Sequence, residues 1–158
     1  MTVTIETARY PSLKDRTAFI TGGGSGIGAA SAALLRLRGA EVVTVDLEGG
    51  DITADVRDPT AIETAVDVAA ARLGGPADIL VAAAGVPGMI QPEHVNPGGV
   101  VVGAGVQYEG RTLLPDVDEA CEEVAGRITP RVGGVGPTTI ALLFRNFVEA
   151  AERHARAA

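Results

Sequence analysis

Two kinds of apolar pattern alternate along this chain: short continuous runs, and stretches where apolar residues recur every three or four positions. Thr17-Ala-Phe-Ile-Thr21 and Glu41-Val-Val-Thr-Val-Asp46 predict buried strands, and Asp51 to Val56 fits a weak third. Asp78-Ile-Leu-Val-Ala82, Gly99-Val-Val-Val102 and Arg127-Ile-Thr129 complete six. Between them Ala29 to Arg38 predicts a helix stopped at Gly39. Ile62, Val66, Ala69 and Leu73 predict another, with Asp58 as N-cap, Pro59 at the first helical position and Gly74-Gly75 as the end. Glu109-Gly110 marks a small excursion between Val106 and Leu114. Asp116-Val-Asp-Glu119 reads as a capping box opening a helix with Val117, Ala120, Cys121 and Val124 on one face. The clearest helix follows Pro137, with Ile140, Leu143, Phe144, Phe147, Val148 and Ala151 on its apolar stripe. Strands linked by helices imply an α/β fold, a single domain over residues 1–158. Its sheet is mostly parallel and doubly wound, in the order 3-2-1-4-5-6 with helices on both faces.

Composition narrows the function classes. With 158 residues and 46% hydrophobic content, the chain holds one domain's core and is not a disordered polymer. A net charge of -7 and 3% aromatics without tryptophan argue against nucleic acid and anionic membrane as partners. Met1 to Tyr10 has neither the basic end nor the apolar stretch of a secretory signal, so a cytoplasmic protein is expected. One cysteine, Cys121, allows no internal disulfide, and His94 and His154 lack a ligand pattern, so no metal is expected. Glycine is the outlier, at 21 residues, without a collagen-like period.

Much of that glycine is placed where chemistry needs it. Thr21-Gly-Gly-Gly-Ser-Gly-Ile-Gly28 follows a strand and opens a helix. Glycines let the backbone approach a pyrophosphate, and the helix N-terminus offers unpaired N–H groups with a partial positive charge. A triphosphate loop would need Gly-Lys-Ser/Thr, and Lys14 is the only lysine of the chain. Asp46 ends the second strand 18 residues after Gly28, where a carboxylate accepts both adenosine-ribose hydroxyls. It would repel a 2′-phosphate, so NAD(H) is favoured and NADP(H) remains possible; Arg36, Arg38 and Arg57 lie near enough in sequence to blunt that preference. This is the signature of a dinucleotide-binding Rossmann domain, with Gly22, Gly24, Ser25, Gly26, Ile27, Gly28 and Asp46 as candidate cofactor contacts.

Two family resemblances divide the chain. Tyr10-Pro-Ser-Leu, the Thr21-to-Gly28 turn, Asp46 and Asp55-Val56 make residues 10–85 resemble the start of a short-chain dehydrogenase/reductase. That resemblance implies Asp55 and Val56 at the adenine, with Leu47, Ala84 and Gly85 along the cofactor. Ala82 and Ala83 replace the asparagines the family usually writes before Ala-Gly. From Ala77 to Glu152 the chain resembles the NADP-binding domain of the bifunctional methylenetetrahydrofolate dehydrogenase/cyclohydrolases. The residues that carry it are Ala77 to Gly85, Pro87-Gly88, Pro97-Gly-Gly-Val-Val-Val102, Asp116-Val-Asp118 and Ile128-Thr-Pro-Arg-Val-Gly-Gly-Val-Gly-Pro-Thr-Thr139. Gly103, Pro115 and Arg131-Val132 depart from that family's pattern. This second resemblance implies Val106, Gly133 and Gly134 in the cofactor cleft, the glycines toward the nicotinamide. The two likenesses meet at residues 78–85, where recombination, or divergence of one folate-enzyme lineage, would join them.

Catalytic residues are harder to find. Short-chain dehydrogenases place Tyr and Lys four residues apart on one helix, so that the lysine lowers the tyrosine's pKa. Tyr10 and Lys14 have that spacing, but Pro11 intervenes and both precede the first strand, while Tyr108 has Thr112 at that offset. The folate family's catalytic tyrosine and lysine belong, by resemblance, to an N-terminal domain. Ser25 reads as a phosphate contact and Asp116 as an N-cap rather than an acid. The expectation is an NAD(P)(H)-binding domain of oxidoreductase ancestry without a complete catalytic site. The alternatives are a dehydrogenase whose pocket a dimer or partner completes, and a structural scaffold without activity. The apolar last helix suggests a homodimer through its surface.

Overall fold

The structure, a computed structural model, describes residues 12–157; Tyr10 and Pro11 lie outside these. Strands β1 (Thr17–Thr21), β2 (Glu41–Asp46), β3 (Ile52–Thr53), β4 (Ile79–Ala82), β5 (Val100–Gly103) and β8 (Arg127–Ile128) form one sheet in the order β3-β2-β1-β4-β5-β8. Every pairing in it is parallel. Strands β6 (Val106–Glu109) and β7 (Thr112–Pro115) form the antiparallel hairpin expected around Glu109-Gly110. The helices are α1 (Gly26–Leu37), α2 (Pro59–Leu73) and α3 (Val135–Ala157).

Alternation along β1, β2 and β4 sorts their side chains between two layers. Ala18, Ile20, Val42 and Val81 pack with Ala32 of α1 on one face. Phe19, Val43 and Val45 pack with Ala65, Ala69 and Leu73 of α2 on the other. A third cluster, Ala82, Ile90, Val95, Val101, Val117 and Cys121, continues the α2 face beneath the segment that follows β4. The parallel strands read as continuous apolar runs because both of their faces are covered.

Local chemistry sets the helix ends. Asp58 accepts hydrogen bonds from the N–H groups of Thr60 and Ala61, Pro59 fills the first position, and Gly74 closes α2 at φ 75°. Ala65 rather than Val66 joins Ala69 and Leu73 on the buried face of α2, because small side chains let the helix approach the sheet; Val66 is left exposed. The expected capping box moves by two residues. Asp118 caps a 3-10 helix, Glu119–Glu123, through the Ala120 N–H, while Asp116 is buried. Asp116 is therefore not an N-cap.

Helix α3 departs most from a doubly wound sandwich. Ile140, Leu143, Phe144, Phe147 and Val148 are all exposed, so it does not bury its stripe against its own sheet. Among the described residues no helix is long and apolar enough to cross a membrane.

Asp78 ties the starts of β1 and β4 together. Its Oδ2 accepts from the Thr17 N–H at 3.0 Å and the Thr17 hydroxyl at 3.2 Å, and the Asp78 N–H donates back to Thr17 Oγ1 at 3.0 Å. The Thr17 N–H, seconded by its hydroxyl and by Arg16, holds the Asp78 carboxyl below its ordinary value against the opposing effect of burial. Asp78→Ala should cost about 1–2 kcal/mol at neutral pH in urea titrations. A depressed folded pKa makes this contribution present above the unfolded value of 3.8 and lost as pH falls through the folded one, so the gap between wild type and variant should narrow as pH falls below 3.8.

Candidate functional site

The order of strands reverses between β1 and β4: the chain moves outward from β1 to β2 and β3, then returns to β4 on the other side. Loops leaving the C-terminal ends of β1 and β4 diverge there, and the crevice between them is the ligand position of such sheets. A cleft of about 690 Å3 occupies that place. Backbone dominates its central wall. Gly22 has φ 70°, and a Cβ there would stand 2.7 Å from the Ala84 nitrogen, so only glycine lets the two loops touch. Gly28 sits under the same turn, where a Cβ would meet the Gly22 carbonyl.

Helix α1 starts directly at this crevice. Ser25 is its N-cap in extended conformation but makes no side-chain cap bond, and no acidic residue occupies the first turn. The first N–H groups and the positive end of the helix dipole thus face the cleft without a side-chain anion to compensate them. Asp46 closes the β2 side. Its Oδ2 accepts from the Gly24 N–H at 2.8 Å and its Oδ1 from the Leu47 N–H at 2.7 Å. Each oxygen keeps a further lone pair for a hydroxyl donor, so the carboxylate both fixes the turn and stays competent as an acceptor.

Past Asp46 the wall is charged but internally paired. Arg57 grips Asp55 through Nε and Nη2 at 2.9 and 2.7 Å, and this hydrogen bonding pulls the Asp55 carboxyl down to about 2. Arg36 is committed as well. It lies in the last turn of α1 and donates to the Val42 carbonyl and to Asp51. Asp51 is pushed up by burial and pulled down further by the Thr44 N–H and hydroxyl and by Arg36, with a lowered pKa as the result. Arg38 is the C-cap of α1.

Of the residues named from sequence, Gly22, Ser25, Gly26, Ile27, Asp46, Leu47, Asp55, Val56, Ala84 and Gly85 line this one cleft. Gly24 and Gly28 stand behind it, Gly24 bonded to Asp46 and Gly28 packed against Gly22. Val106, Gly133 and Gly134 are not in its lining. Val106 lies on the exposed hairpin strand β6, and its neighbours Ala104 and Gln107 line the cleft instead. The two glycines form the turn ahead of α3. Ala54, Arg57, Ala83, Val86 and Pro87 also contribute. Each flanks a residue the motif reading did name, and its position after a strand end was the available signal. A separate apolar groove of about 580 Å3 runs between α2 and residues 89–97, lined mainly by side chains such as Phe19, Ile62 and Leu80. Among the described residues no cluster of three metal-ligating side chains exists.

Comparison with known proteins agrees with this architecture. Residues 16–98 match the short chain dehydrogenase family. A bifunctional FolD protein of Bordetella petrii is 40% identical over 146 residues, covering 90% of this chain and 43% of the relative. One from Salinispora tropica is 70% identical over 77 residues, 49% of this chain and 25% of its own length. Among solved structures, the FolD methylenetetrahydrofolate dehydrogenase/cyclohydrolase of Campylobacter jejuni superposes with a TM-score of 0.67 at 28% identity, covering 90% of this chain and 45% of that one. The Trypanosoma brucei enzyme, solved with NADP and an inhibitor, gives 0.65 at 28% identity, covering 92% of this chain and 46% of that one. The chain thus spans less than half the length of each of these relatives. Residues 67–155, more than half of the chain, match the NAD(P)-binding domain of tetrahydrofolate dehydrogenase/cyclohydrolase, and with the β1–β4 crevice in the same fold, the chain belongs to that NAD(P)-binding family, its first half sharing the short-chain dehydrogenase pattern.

Proposed function

We propose that this chain binds a nicotinamide dinucleotide in the β1–β4 crevice as the cofactor half of a FolD-type methylenetetrahydrofolate dehydrogenase system. The observation that carries the reading is the uncapped start of α1 facing a cleft whose wall is glycine backbone, with Asp46 at its far end. The pyrophosphate lies over Gly22 to Gly28, the adenosine ribose on Asp46, and the adenine between Leu47 and Asp55-Val56. From there the nicotinamide half crosses to Ala84 and Gly85. When bound, the cofactor supplies the hydride chemistry. The residues of this chain supply orientation, and turnover requires a folate-facing surface contributed by something else. Lys14, the only lysine, is exposed ahead of the start of β1, the end of that strand opposite the one that opens into the cleft, which supports that division.

The electrostatics support NAD(H) over NADP(H), although the Trypanosoma relative was solved with NADP. A 2′-phosphate would meet the Asp46 carboxylate, and Arg57, the arginine of that wall, is already committed to Asp55. Nicotinamide fluorescence, unobscured in a protein without tryptophan, measures both affinities. NADH should bind tighter than NADPH. Asp46→Ala should weaken NADH about tenfold to a hundredfold, as expected for losing hydrogen bonds to a charged group, and narrow or reverse the preference. Gly22→Val should abolish binding of both. Absence of any NADH or NADPH binding by the wild-type chain would reject the cofactor reading.

A second copy of the chain covers the stripe of α3. Arg145 and Arg156 pair along the helix with Glu149 and Glu152, leaving Ile140, Leu143, Phe144, Phe147 and Val148 as its uncommitted surface. Burying a phenylalanine is worth about 1.5–3 kcal/mol, so Phe144→Glu with Phe147→Glu should weaken self-association by at least about a hundredfold in sedimentation equilibrium. A wild-type monomer at high concentration would overturn the dimer.

A further inference from the structure

Asp116 is fully buried, and no ion pair among the described residues includes it. An isolated buried carboxylate is costly and, for stability alone, would be better replaced by an apolar side chain. Its surroundings show what it holds. Oδ2 accepts from the Gly85 N–H at 2.9 Å. Burial pushes the Asp116 carboxyl up, and the N–H groups of Gly85, then Ala84 and Val86, pull the other way. The Gly85 peptide N–H thus caps this side chain from the loop after β4, and the neighbouring N–H groups act on its carboxyl in the same sense. Oδ1 is buried without a partner.

The main chain of Asp116 anchors this carboxylate. Its N–H donates to the Gly105 carbonyl at 3.1 Å, and its carbonyl accepts from the Ile90 N–H at 2.9 Å. One residue thus links the segments that follow β4, β5 and β7. In a planar trans peptide the carbonyl points opposite to the following N–H. Turning the Gly85 N–H toward Asp116 directs the Ala84 carbonyl away from it, while the Ala83 carbonyl is directed elsewhere. That of Ala83 meets Gly22, and Ala84 and Gly85 line the cleft.

Resting on the cofactor reading above, we propose that Asp116 is a positioning residue: its buried charge fixes the Ala84–Val86 loop so that its carbonyls accept from the nicotinamide-side half of the dinucleotide. The adenosine half engages Gly22 to Gly28 and Asp46, so the two halves are separable by ligand. NADH affinity from fluorescence is compared with AMP affinity from calorimetry, in wild type, Asp116→Asn and Gly105→Ala. The asparagine keeps shape and removes charge. The alanine keeps the charge and displaces it, because a Cβ at position 105 would overlap the Asp116 carboxylate. In either variant that folds, NADH should bind about tenfold weaker while AMP stays within about twofold of wild type, and the ratio of the two is insensitive to a general loss of stability. Unchanged NADH affinity in a folded variant, or equal weakening of NADH and AMP, would overturn the assignment. Failure of the cofactor reading itself would show in the wild type, which would then bind neither ligand.

Discussion

Two chain reversals, after β1 and after β4, are pressed backbone to backbone, and the cleft exists because of that contact. Gly22 makes it sterically possible, since any side chain there would collide with the Ala83–Ala84 peptide. The parallel pairing of β1 with β4, register-locked from Ala18–Ile79 to Thr21–Ala82, brings the two reversals level. Asp78 secures the opposite ends of the same strands through Thr17. Consequently the position of the first peptide of the phosphate turn depends on a strand pair whose partners are 61 residues apart in sequence.

Polar restraints divide the cleft into two halves with opposite solutions. On the β2 side a carboxylate, Asp46, stays half-exposed and shares its oxygens between the turn and the open cleft. On the other side a carboxylate, Asp116, is withdrawn from solvent and acts only on the backbone above it. A surface acceptor recognises a ligand hydroxyl directly. A buried one cannot reach the ligand, so its effect is on which backbone atoms the loop presents. The same side-chain chemistry therefore leaves an acceptor open to the cleft in one place and sets backbone shape in the other.

Legibility in sequence followed the range of the interactions involved. β1 and β2 have the bounds their continuous apolar runs predict, and the parallel, doubly wound character of the sheet follows from alternation of elements. β3 shrank to Ile52–Thr53, and at its start the Asp51 N–H donates to the Thr44 hydroxyl instead of to a strand carbonyl. α2 turned its alanine face inward, a choice that hydrophobicity alone misreads because it favours Val66 over Ala65. The glycine-rich turn was readable because its chemistry is local to eight residues. Ala104 and Gln107 were not, since they enter the cleft from another segment through the topology of the sheet. Asp116 was misread for the same reason: a capping pattern is visible within four residues, whereas its bond to Gly85 spans 31.

The two family patterns also meet in a physically reasonable place. Residues 67–98 lie in both matches and comprise the end of α2, all of β4 and the loop above Asp116. β4 is the strand on which the two halves of the sheet depend, pairing with β1 on one side and β5 on the other. A shared β4 lets a short-chain-dehydrogenase-like first half and a folate-type second half use one register, because its apolar run pairs in parallel with β1 on one edge and β5 on the other. The continuous 146-residue similarity to a single FolD protein shows that this order of elements also exists within one folate-enzyme relative. Compatibility at β4 is thus enough to preserve the crevice. The loop after it must satisfy both neighbours at once: the Ala83–Ala84 peptide must lie against Gly22, and the Gly85 N–H must still find Asp116.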